Sequence, residues 1–187
     1  LVQTGRAECA IATDISAPSL QKVERLAAEL GISDLVTTRV GDGLDPVTED
    51  DVDTVVIAGM GGDLIAGILE RGRQAGKDFE FYILSPNTHP ERVREQICRM
   101  GHTIVYDGVA ECAGKIYPVI KTMRGGKEKL DAMQLRFGKF FRTDEDFKAA
   151  AEKELDKLEA VLKGNPNAAN LAGRAQLLRS ALDEVEI

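Results

Sequence analysis

The sequence predicts an α/β domain built on a mainly parallel sheet, followed by a small helical domain. Up to about residue 123, short runs rich in β-branched residues alternate with helical patterns, which is typical of strands joined by crossover helices. Beyond that point the alternation stops and only helical spacing remains. Because 187 residues allow one ordinary domain with an accessory element, we place the two parts at 1–123 and 124–187.

Six runs of residues are candidates for strands, at 9–15, 35–40, 54–58, 80–84, 103–107 and 116–122. A short polar break around 111–115 is all that separates the last two runs. We therefore expect these two strands to form an antiparallel hairpin at one edge of the sheet.

Three amphipathic helices are predicted between these strands. The first begins near Ser16 and stops at Gly31, the second begins at Gly61 or Gly62, and the third follows Pro90. The apolar positions expected to face the sheet are Val23, Leu26, Ala27 and Leu30 in the first helix, Leu64, Ile65, Ile68 and Leu69 in the second, and Val93, Ile97 and Met100 in the third.

Three more helices are predicted after Gly125 and Gly126, which interrupt the strand pattern. The apolar face of the first would consist of Leu130, Met133, Phe137 and Phe140. The other two have near-heptad spacing, through Phe147, Ala151, Leu155, Leu158 and Leu162 and through Leu171, Ala175, Leu178, Leu182 and Val185. We expect these two helices to pair as an αα-hairpin or a short coiled coil.

Composition excludes several classes of protein. With 43% hydrophobic residues the chain can bury a core, so a disordered protein is excluded. No apolar run is long enough to cross a bilayer, and no signal peptide begins the sequence, so we expect a cytoplasmic protein. The three cysteines form no CxxC pair and the two histidines form no HExxH motif, so we expect no metal site.

Ligand-binding residues are expected where the parallel strands end, because ligands of open α/β sheets bind at that edge. Asp14 ends the first strand, where it suits either ribose hydroxyl groups or the N-terminus of the next helix. Asp42 follows the second strand, as an acceptor for an exocyclic amine or as part of a plain Asp-Gly turn. Asn87 follows the fourth strand, in a proline-fixed turn that either presents its amide to a ligand or is only a turn.

The third strand runs into the glycine-rich segment Gly59-Met60-Gly61-Gly62. Such a turn before a helix often binds phosphate. However, Leu64 occupies the last position of GxGxxG and no Gly-Lys-Ser/Thr follows, so neither nucleotide-binding fingerprint is present. The glycines then serve to bring the backbone close to a ligand.

A basic stripe lies between 121 and 142, with seven basic and two acidic residues in a chain of net charge −7. It suits either a solvated helix face or phosphate contacts with a nucleic acid. Its basic residues are Lys121, Arg124, Lys127, Lys129, Arg136, Lys139 and Arg142.

The motifs, taken in order, resemble the bacterial tRNA (adenine-22-N1)-methyltransferase family. They are Ala-Thr-Asp-Ile at 12–15, Val-Gly-Asp-Gly-Leu at 40–44, Val-Ile-Ala-Gly-Met-Gly-Gly at 56–62, Leu-Ser-Pro-Asn at 84–87 and Gly-Lys-Ile-Tyr at 114–117, with Leu-Arg-Phe-Gly at 135–138. The resemblance covers nearly the whole chain. It implies a Rossmann-like, class I domain that uses S-adenosyl-L-methionine, followed by a helical coiled-coil domain.

The resemblance also implies roles for individual residues. Asp14 would hold the cofactor ribose, Asp42 and Gly43 would contact its adenine ring, and 58–60 would line the methyl-donor side. Ser85 stands where the family usually has glutamine, which leaves its role open, whereas Asn87 is kept. The cofactor-binding residues expected by resemblance are Asp14, Ile15, Gly41, Asp42, Gly43, Ala58, Gly59, Met60 and Gly61.

One departure from the family concerns the start of the sequence. The family begins with a strand and an acidic, glycine-containing loop that wraps the methionine part of the cofactor, and the resemblance places this segment upstream of Leu1. We expect the sheet to be split where that central strand is missing, with apolar edges exposed. In this interpretation 1–5 is the tail of the first helix and the chain is a fragment that binds the cofactor weakly or not at all.

The reaction implied by the resemblance requires few residues that act as a general acid or base. Adenine N1 has a lone pair that attacks the methyl group directly, so the enzyme mainly aligns donor and acceptor. Asn87 is the candidate catalytic residue, as a hydrogen-bond partner of the adenine edge, and the basic stripe with the helical hairpin would bind the tRNA. Two alternatives stay open: a methyltransferase for another substrate, and a non-catalytic RNA-binding or assembly module with an incomplete cofactor pocket.

Overall fold

The structure is a computed structural model that describes residues 1–112, 115–165 and 167–186. Its strands are β1 (Ala10–Asp14), β2 (Val36–Val40), β3 (Thr54–Gly61), β4 (Phe81–Thr88), β5 (Thr103–Cys112) and β6 (Lys115–Met123). Its helices are α1 (Ala17–Glu29), α2 (Gly62–Gln74), α3 (Pro90–Met100), α4 (Ala132–Phe137), α5 (Glu145–Gly164) and α6 (Ala169–Asp183). The predicted order of alternating strands and helices followed by helices is confirmed.

The strands form two sheets. β1 and β2 pair in parallel, and the larger sheet has the order β3-β4-β6-β5. Within it β3 and β4 are parallel, whereas β6 is antiparallel to both β4 and β5. The expected hairpin of β5 and β6 at a sheet edge is confirmed. Gly114 of the Gly-Lys-Ile-Tyr motif lies outside the described residues.

The two sheets together follow the strand order of the Rossmann fold, except that one strand position between them is unfilled. The classic order of that fold is 3-2-1-4-5, so β2 and β1 correspond to strands 3 and 2, and β3 and β4 correspond to strands 4 and 5. No ladder joins β1 to β3 in the described part of the chain. The expected split of the sheet is therefore present, and the exposed side chain of Val56 on β3 lies beside it, with 52% of its surface accessible.

Two strands extend further than the sequence predicted. β3 continues through the glycine-rich segment to Gly61, with irregular pairing that places Met60 opposite Pro86. β4 continues through Pro86 and Asn87, which were predicted to form a turn. Since β6 pairs with β4 only as far as Leu84, β4 has a free edge beyond that residue, where a proline is tolerated.

The main core lies between the larger sheet and its covering helices. Its most deeply buried side chains include Ile65 and Leu69 of α2, Val93 and Ile97 of α3, and Leu84 of β4. These positions confirm most of the predicted faces of α2 and α3. Leu64 is the exception, because it lies at the start of α2 and is 52% exposed.

Helix α1 buries less of its predicted face than expected. Leu20 and Ala27 are buried, but Leu26 and Leu30 are 54% and 40% exposed. The reason is the small area beneath the helix, since the main contacts of α1 are with the two-stranded sheet. The first residues likewise form a 3₁₀ turn, Val2–Thr4, and not the tail of an α-helix.

Glu70 connects α2 to α3. Its carboxylate accepts hydrogen bonds from Arg73, from Gln96 of α3 and from Gln74. These bonds, that of Arg73 first, lower the pKa of Glu70 from 4.5 to about 2. Because the pKa of Glu70 is lower in the folded state, its ionised carboxylate stabilises the fold. This contribution to the free energy of unfolding is complete above pH 4.5 and is lost as the pH falls towards 2.

We expect the Glu70→Gln variant to lose less stability than the parent between about pH 5 and pH 3. The measurement is the urea midpoint at each pH. Glu152→Gln, at an exposed position of α5, is the control and should follow the parent. If the urea midpoint falls equally steeply with pH in the parent and in Glu70→Gln, the contacts of Glu70 do not cause the loss of stability in acid.

The first accessory helix is shorter than predicted. α4 has only six residues, Ala132–Phe137; Asp131 caps its start in a capping box with Gln134, and Gly138 follows its last residue. Gly138 has φ 120°, a conformation that turns the chain out of the helix and that glycine adopts readily. Phe140 therefore lies outside the helix and is 39% exposed, and the neighbouring Phe141 is buried instead.

Helices α5 and α6 form the expected antiparallel hairpin. Arg142, just before α5, contacts Glu184 just after α6, which brings the outer ends of the two helices together. Ala151 of α5 and Ala175 and Leu178 of α6 are buried. Among the described residues, no helix is both long and apolar enough to cross a membrane.

Candidate functional site

The loops after β1 and β2 lie side by side. The amide of Gly41 donates to the carbonyl oxygen of Asp14 at 3.0 Å, and Thr13 Oγ1 donates to the carbonyl oxygen of Gly43 at 3.0 Å. Gly43 has φ 56°, and a Cβ there would lie 2.8 Å from the Ile68 side chain of α2. Glycine is thus required for the loop to approach α2.

Asp14 and its neighbour Ile15 lie at the mouth of this region. Asp14 Oδ1 accepts a hydrogen bond from the Ser16 amide at 2.7 Å, at the N-terminus of α1. Its other oxygen has no hydrogen bond within the described residues, so the carboxylate satisfies the helix end and still offers an acceptor for a hydroxyl group. Ile15 is 74% exposed beside it.

Asp42 is engaged by a residue that the sequence prediction did not include. Arg71 Nη2 of α2 donates to Asp42 Oδ1 at 2.9 Å. Both side chains are about half exposed, so the ion pair is a surface interaction of small energy. Arg71 can therefore orient the carboxylate, and the second carboxylate oxygen remains an acceptor for an amine.

The end of β3 offers open backbone. Gly59 has φ 77°, and a Cβ built on it meets nothing within 4 Å. Ala58 is exposed, Met60 is 39% exposed, and Gly61 is half-buried next to the Thr88 hydroxyl. A flat or extended ligand can thus reach the backbone here.

Gly62 holds the starts of α2 and α3 against each other. A Cβ on Gly62 would lie 2.6 Å from the carbonyl oxygen of Thr88 and closer still to that of His89. His89 has φ 50° and precedes α3, and its Nδ1 lies 2.6 Å from Asp63 Oδ2 of α2. This packing fixes the rim that carries Asn87.

Asn87 lies near the end of β4, and its side chain is exposed at the same edge as the end of β3. Ser85 pairs with Ala58 one step earlier in the ladder and is half-buried. The structure thus brings Asn87 to the rim beside 58–61, where a planar amide can contact a base.

These residues fit S-adenosyl-L-methionine in their chemistry. Asp14 and Asp42 supply carboxylate acceptors for a ribose and an exocyclic amine, and the backbone at Gly59 is unobstructed. In the classic Rossmann order one strand would stand between β1, which carries Asp14, and β3, which carries Gly59.

The basic stripe divides into free and engaged residues. Lys139 bonds Glu128 at 2.7 Å and Arg142 bonds Asp131 at 2.9 Å, each with its side chain mostly buried. Arg124 contacts Asp78, and Arg136 lies 3.7 Å from Glu91.

The remaining three basic residues are exposed lysines. The Nζ atom of Lys121 lies 5.4 Å from the ring centre of Phe81. Lys127 and Lys129 have no carboxylate within 4.0 Å among the described residues. The cationic charge available to a partner is therefore concentrated on these lysines, with Arg136 and Arg124 beside them.

Two other side chains with reactive groups, Cys98 and His102, make contacts that suit a structural role. Burial, followed by the nearby Glu128 charge, raises the pKa of the Cys98 thiol, which disfavours a nucleophilic thiolate. His102 is 1% exposed and its Nε2 lies 2.6 Å from Asp78. No cluster of three potential metal ligands occurs in the ranges that the structure describes.

Comparison with known proteins identifies the family. The family model described as tRNA (adenine(22)-N(1))-methyltransferase matches residues 1–186. This chain belongs to the tRNA (adenine(22)-N(1))-methyltransferase family. A curated family member from Bacillus subtilis (strain 168) is 28% identical, covering 97% of this chain and 79% of the relative.

Solved structures support the same family. The Streptococcus pneumoniae protein Sp1610 in complex with S-adenosyl-L-methionine is 33% identical with a TM-score of 0.79, over 97% of this chain and 85% of that one. The Bacillus subtilis tRNA methyltransferase is 27% identical with a TM-score of 0.77 over the same shares. The Rossmann-like fold and the family resemblance found in the sequence are thereby confirmed.

Proposed function

We propose that this protein transfers a methyl group from S-adenosyl-L-methionine to N1 of adenine in tRNA, in the cytoplasm. The observation that carries the proposal is the family match over residues 1–186. The geometry supports it, because the predicted cofactor residues lie at the carboxyl ends of β1, β2 and β3, and Asn87 lies at the same end of β4. S-adenosyl-L-methionine supplies the electrophilic methyl group in this reaction.

The protein's part in the chemistry is alignment. Asp14 and Asp42 would hold the two ends of the nucleoside portion, while the open backbone at Gly59 admits the methyl-donor side. Asn87 would bond the Watson–Crick edge of the target base, whose N1 lone pair attacks without deprotonation. This division of labour requires no histidine or cysteine, which agrees with the structural surroundings of His102 and Cys98.

For tRNA binding we propose contacts between phosphates and the exposed lysines Lys121, Lys127 and Lys129, aided by Arg124 and Arg136. Lys139 and Arg142 would contribute by holding the segment in place, since their charges are already paired. The helical hairpin of α5 and α6 would extend the contact along the tRNA body.

A methyl-transfer assay tests the proposed function. The protein as the cell makes it is incubated with labelled S-adenosyl-L-methionine and a tRNA transcript, and the digest is analysed for N1-methyladenine. Label is expected with adenine at position 22 and not with guanine there. Methylation only of another tRNA base, of a protein or of a small molecule would contradict the proposal.

We further propose that the working enzyme has an extended segment in the open position between β1 and β3. No ladder joins the strand that carries Asp14 to the strand that carries Gly59 in the described residues, so a strand between them would connect the two sides of the proposed cofactor site. For the 187-residue chain we expect a Kd for S-adenosyl-L-methionine above about 1 mM, outside the usual range for enzyme substrates. The measurement is isothermal titration calorimetry.

A micromolar Kd for this chain would contradict the need for a further strand. If the chain binds tRNA but the protein from cells neither binds the cofactor nor methylates, the non-catalytic RNA-binding function is supported instead. The split sheet is the observation that keeps this second function under test.

A further inference from the structure

Arg94 of α3 and Asp107 of β5 form a buried ion pair. Only 3% and 1% of their side chains are exposed. Arg94 Nε and Nη2 donate to the two carboxylate oxygens of Asp107, each at 2.8 Å. Because the cost of removing two charges from water largely offsets their attraction, such a pair contributes little net stability compared with apolar side chains. Its presence therefore calls for another explanation.

Both members of the pair also hold the backbone of the segment 135–139. Arg94 Nη1 donates to the carbonyl oxygen of Leu135 at 2.8 Å. Asp107 Oδ2 accepts a hydrogen bond from the Lys139 amide at 2.7 Å. Between these points, a Cβ on Gly138 would lie 3.4 Å from the Asp107 carboxylate. The segment is thus seated directly on the ion pair.

The same segment continues into the core of the helical hairpin. The ring of Phe137 lies 6.0 Å from that of Phe141 and 5.5 Å from that of Phe147 on α5. Arg142 then contacts Glu184 beyond α6. An uninterrupted series of contacts therefore joins the ion pair to the hairpin.

On its other side the ion pair is close to the rim of the candidate site. Arg94 is the fifth residue of α3, and α3 begins at Pro90, three residues after Asn87. About one turn of α3 thus separates the end of β4 from the ion pair. The orientation of the hairpin is therefore coupled to Asn87 through the start of α3.

We propose that the Arg94–Asp107 pair is a positioning device. It fixes the α5–α6 hairpin and the basic stripe relative to Asn87 and the end of β3, where the methyl group would be transferred. In this role it lets the hairpin hold the tRNA body while the target adenine reaches Asn87. Arg94 and Asp107 contact no substrate and act through 135–139. The inference rests on the proposed tRNA-methylating function.

The test replaces the pair with apolar side chains, in the variant Arg94→Met/Asp107→Leu. We expect an unchanged hydrogen-exchange pattern in β4, β6, α5 and α6, loss of protection at the Lys139 amide, and a tRNA Kd at least about ten-fold weaker. The matched control is Arg92→Met/Glu95→Leu, which removes a surface pair from the same helix and should leave the tRNA Kd within about two-fold. Arg94→Lys keeps the charge but not the planar fork, so it should give an intermediate loss.

A folded double variant with a tRNA Kd within about two-fold of the parent would overturn the inference. Should the double variant fail to fold, the tRNA Kd of Gly138→Ala tests the inference instead. This variant keeps both charges of the ion pair, and alanine is strained at the φ of 120° that Gly138 adopts, so the segment 135–139 must shift. Unaltered tRNA binding by that variant would likewise overturn it. A parent that binds no tRNA would instead refute the proposed function, and this inference with it.

Discussion

Replacing Asn87 with alanine is expected to lower kcat for tRNA methylation about 100-fold, because a target base that is misplaced by about 1 Å loses most of its reactivity. The affinity for S-adenosyl-L-methionine should change less than about three-fold, since the cofactor contacts assigned to Asp14 and Asp42 remain. The measurements are single-turnover methylation at saturating tRNA and calorimetric cofactor binding, on the protein as the cell makes it.

Gln21→Ala is a suitable control for the Asn87 variant. It also removes an exposed side-chain amide, but from α1, far from the ends of β3 and β4 in sequence. Its kcat should equal that of the parent. If Asn87→Ala also retains the parent's kcat, or if its loss is entirely in cofactor affinity, the role of Asn87 at the adenine edge is refuted.

Gly62→Ala is expected to cost about 2–3 kcal/mol of folding free energy. The added methyl group meets the carbonyl oxygens of Thr88 and His89, and neither can rotate away because both belong to the backbone. The start of α3 must then move away from α2, which breaks the contact between His89 and Asp63. Urea denaturation followed by circular dichroism measures the loss.

The chain provides a matched control for this substitution. Gly67 lies in the same helix, and a Cβ there meets only the mobile end of Arg71, at 3.8 Å. Gly67→Ala should therefore stabilise the protein by about 0.5–1 kcal/mol through its higher helix propensity. Equal effects of the two substitutions would show that the close approach at Gly62 is absent in solution.

The order of the elements was predictable from local patterns, whereas the ends of two strands were not. Glycine and proline marked the predicted ends of β3 and β4 in the sequence. In the structure β3 continues as far as Gly61, because Met60 and Gly61 find partners in Pro86 and Thr88. Those partners lie some twenty-five residues further along the chain, so no local sequence pattern predicts the pairing. The shortened α4 is similar, since the Lys139 amide leaves the helix for Asp107.

The candidate site was predictable in its residue types but not in its pairings. Asp14, Asp42 and Asn87 were predicted as site residues because the carboxyl ends of strands are where ligands bind. The ion pairs of Asp42 with Arg71 and of Arg94 with Asp107 join elements that meet only in the folded chain. For the basic stripe, charge counting overstated the number of free cations, since Lys139 and Arg142 are already paired with carboxylates.

The unpaired side of β3 has a consequence for handling the 187-residue chain. This strand is eight residues long and carries the exposed side chains of Val56 and Met60. A long, apolar strand with free backbone groups is a template on which another copy can add a strand. The net charge of −7 opposes such growth by repulsion, and salt weakens that repulsion. Dilute, low-salt buffers are therefore the conditions that keep this chain from assembling into larger aggregates.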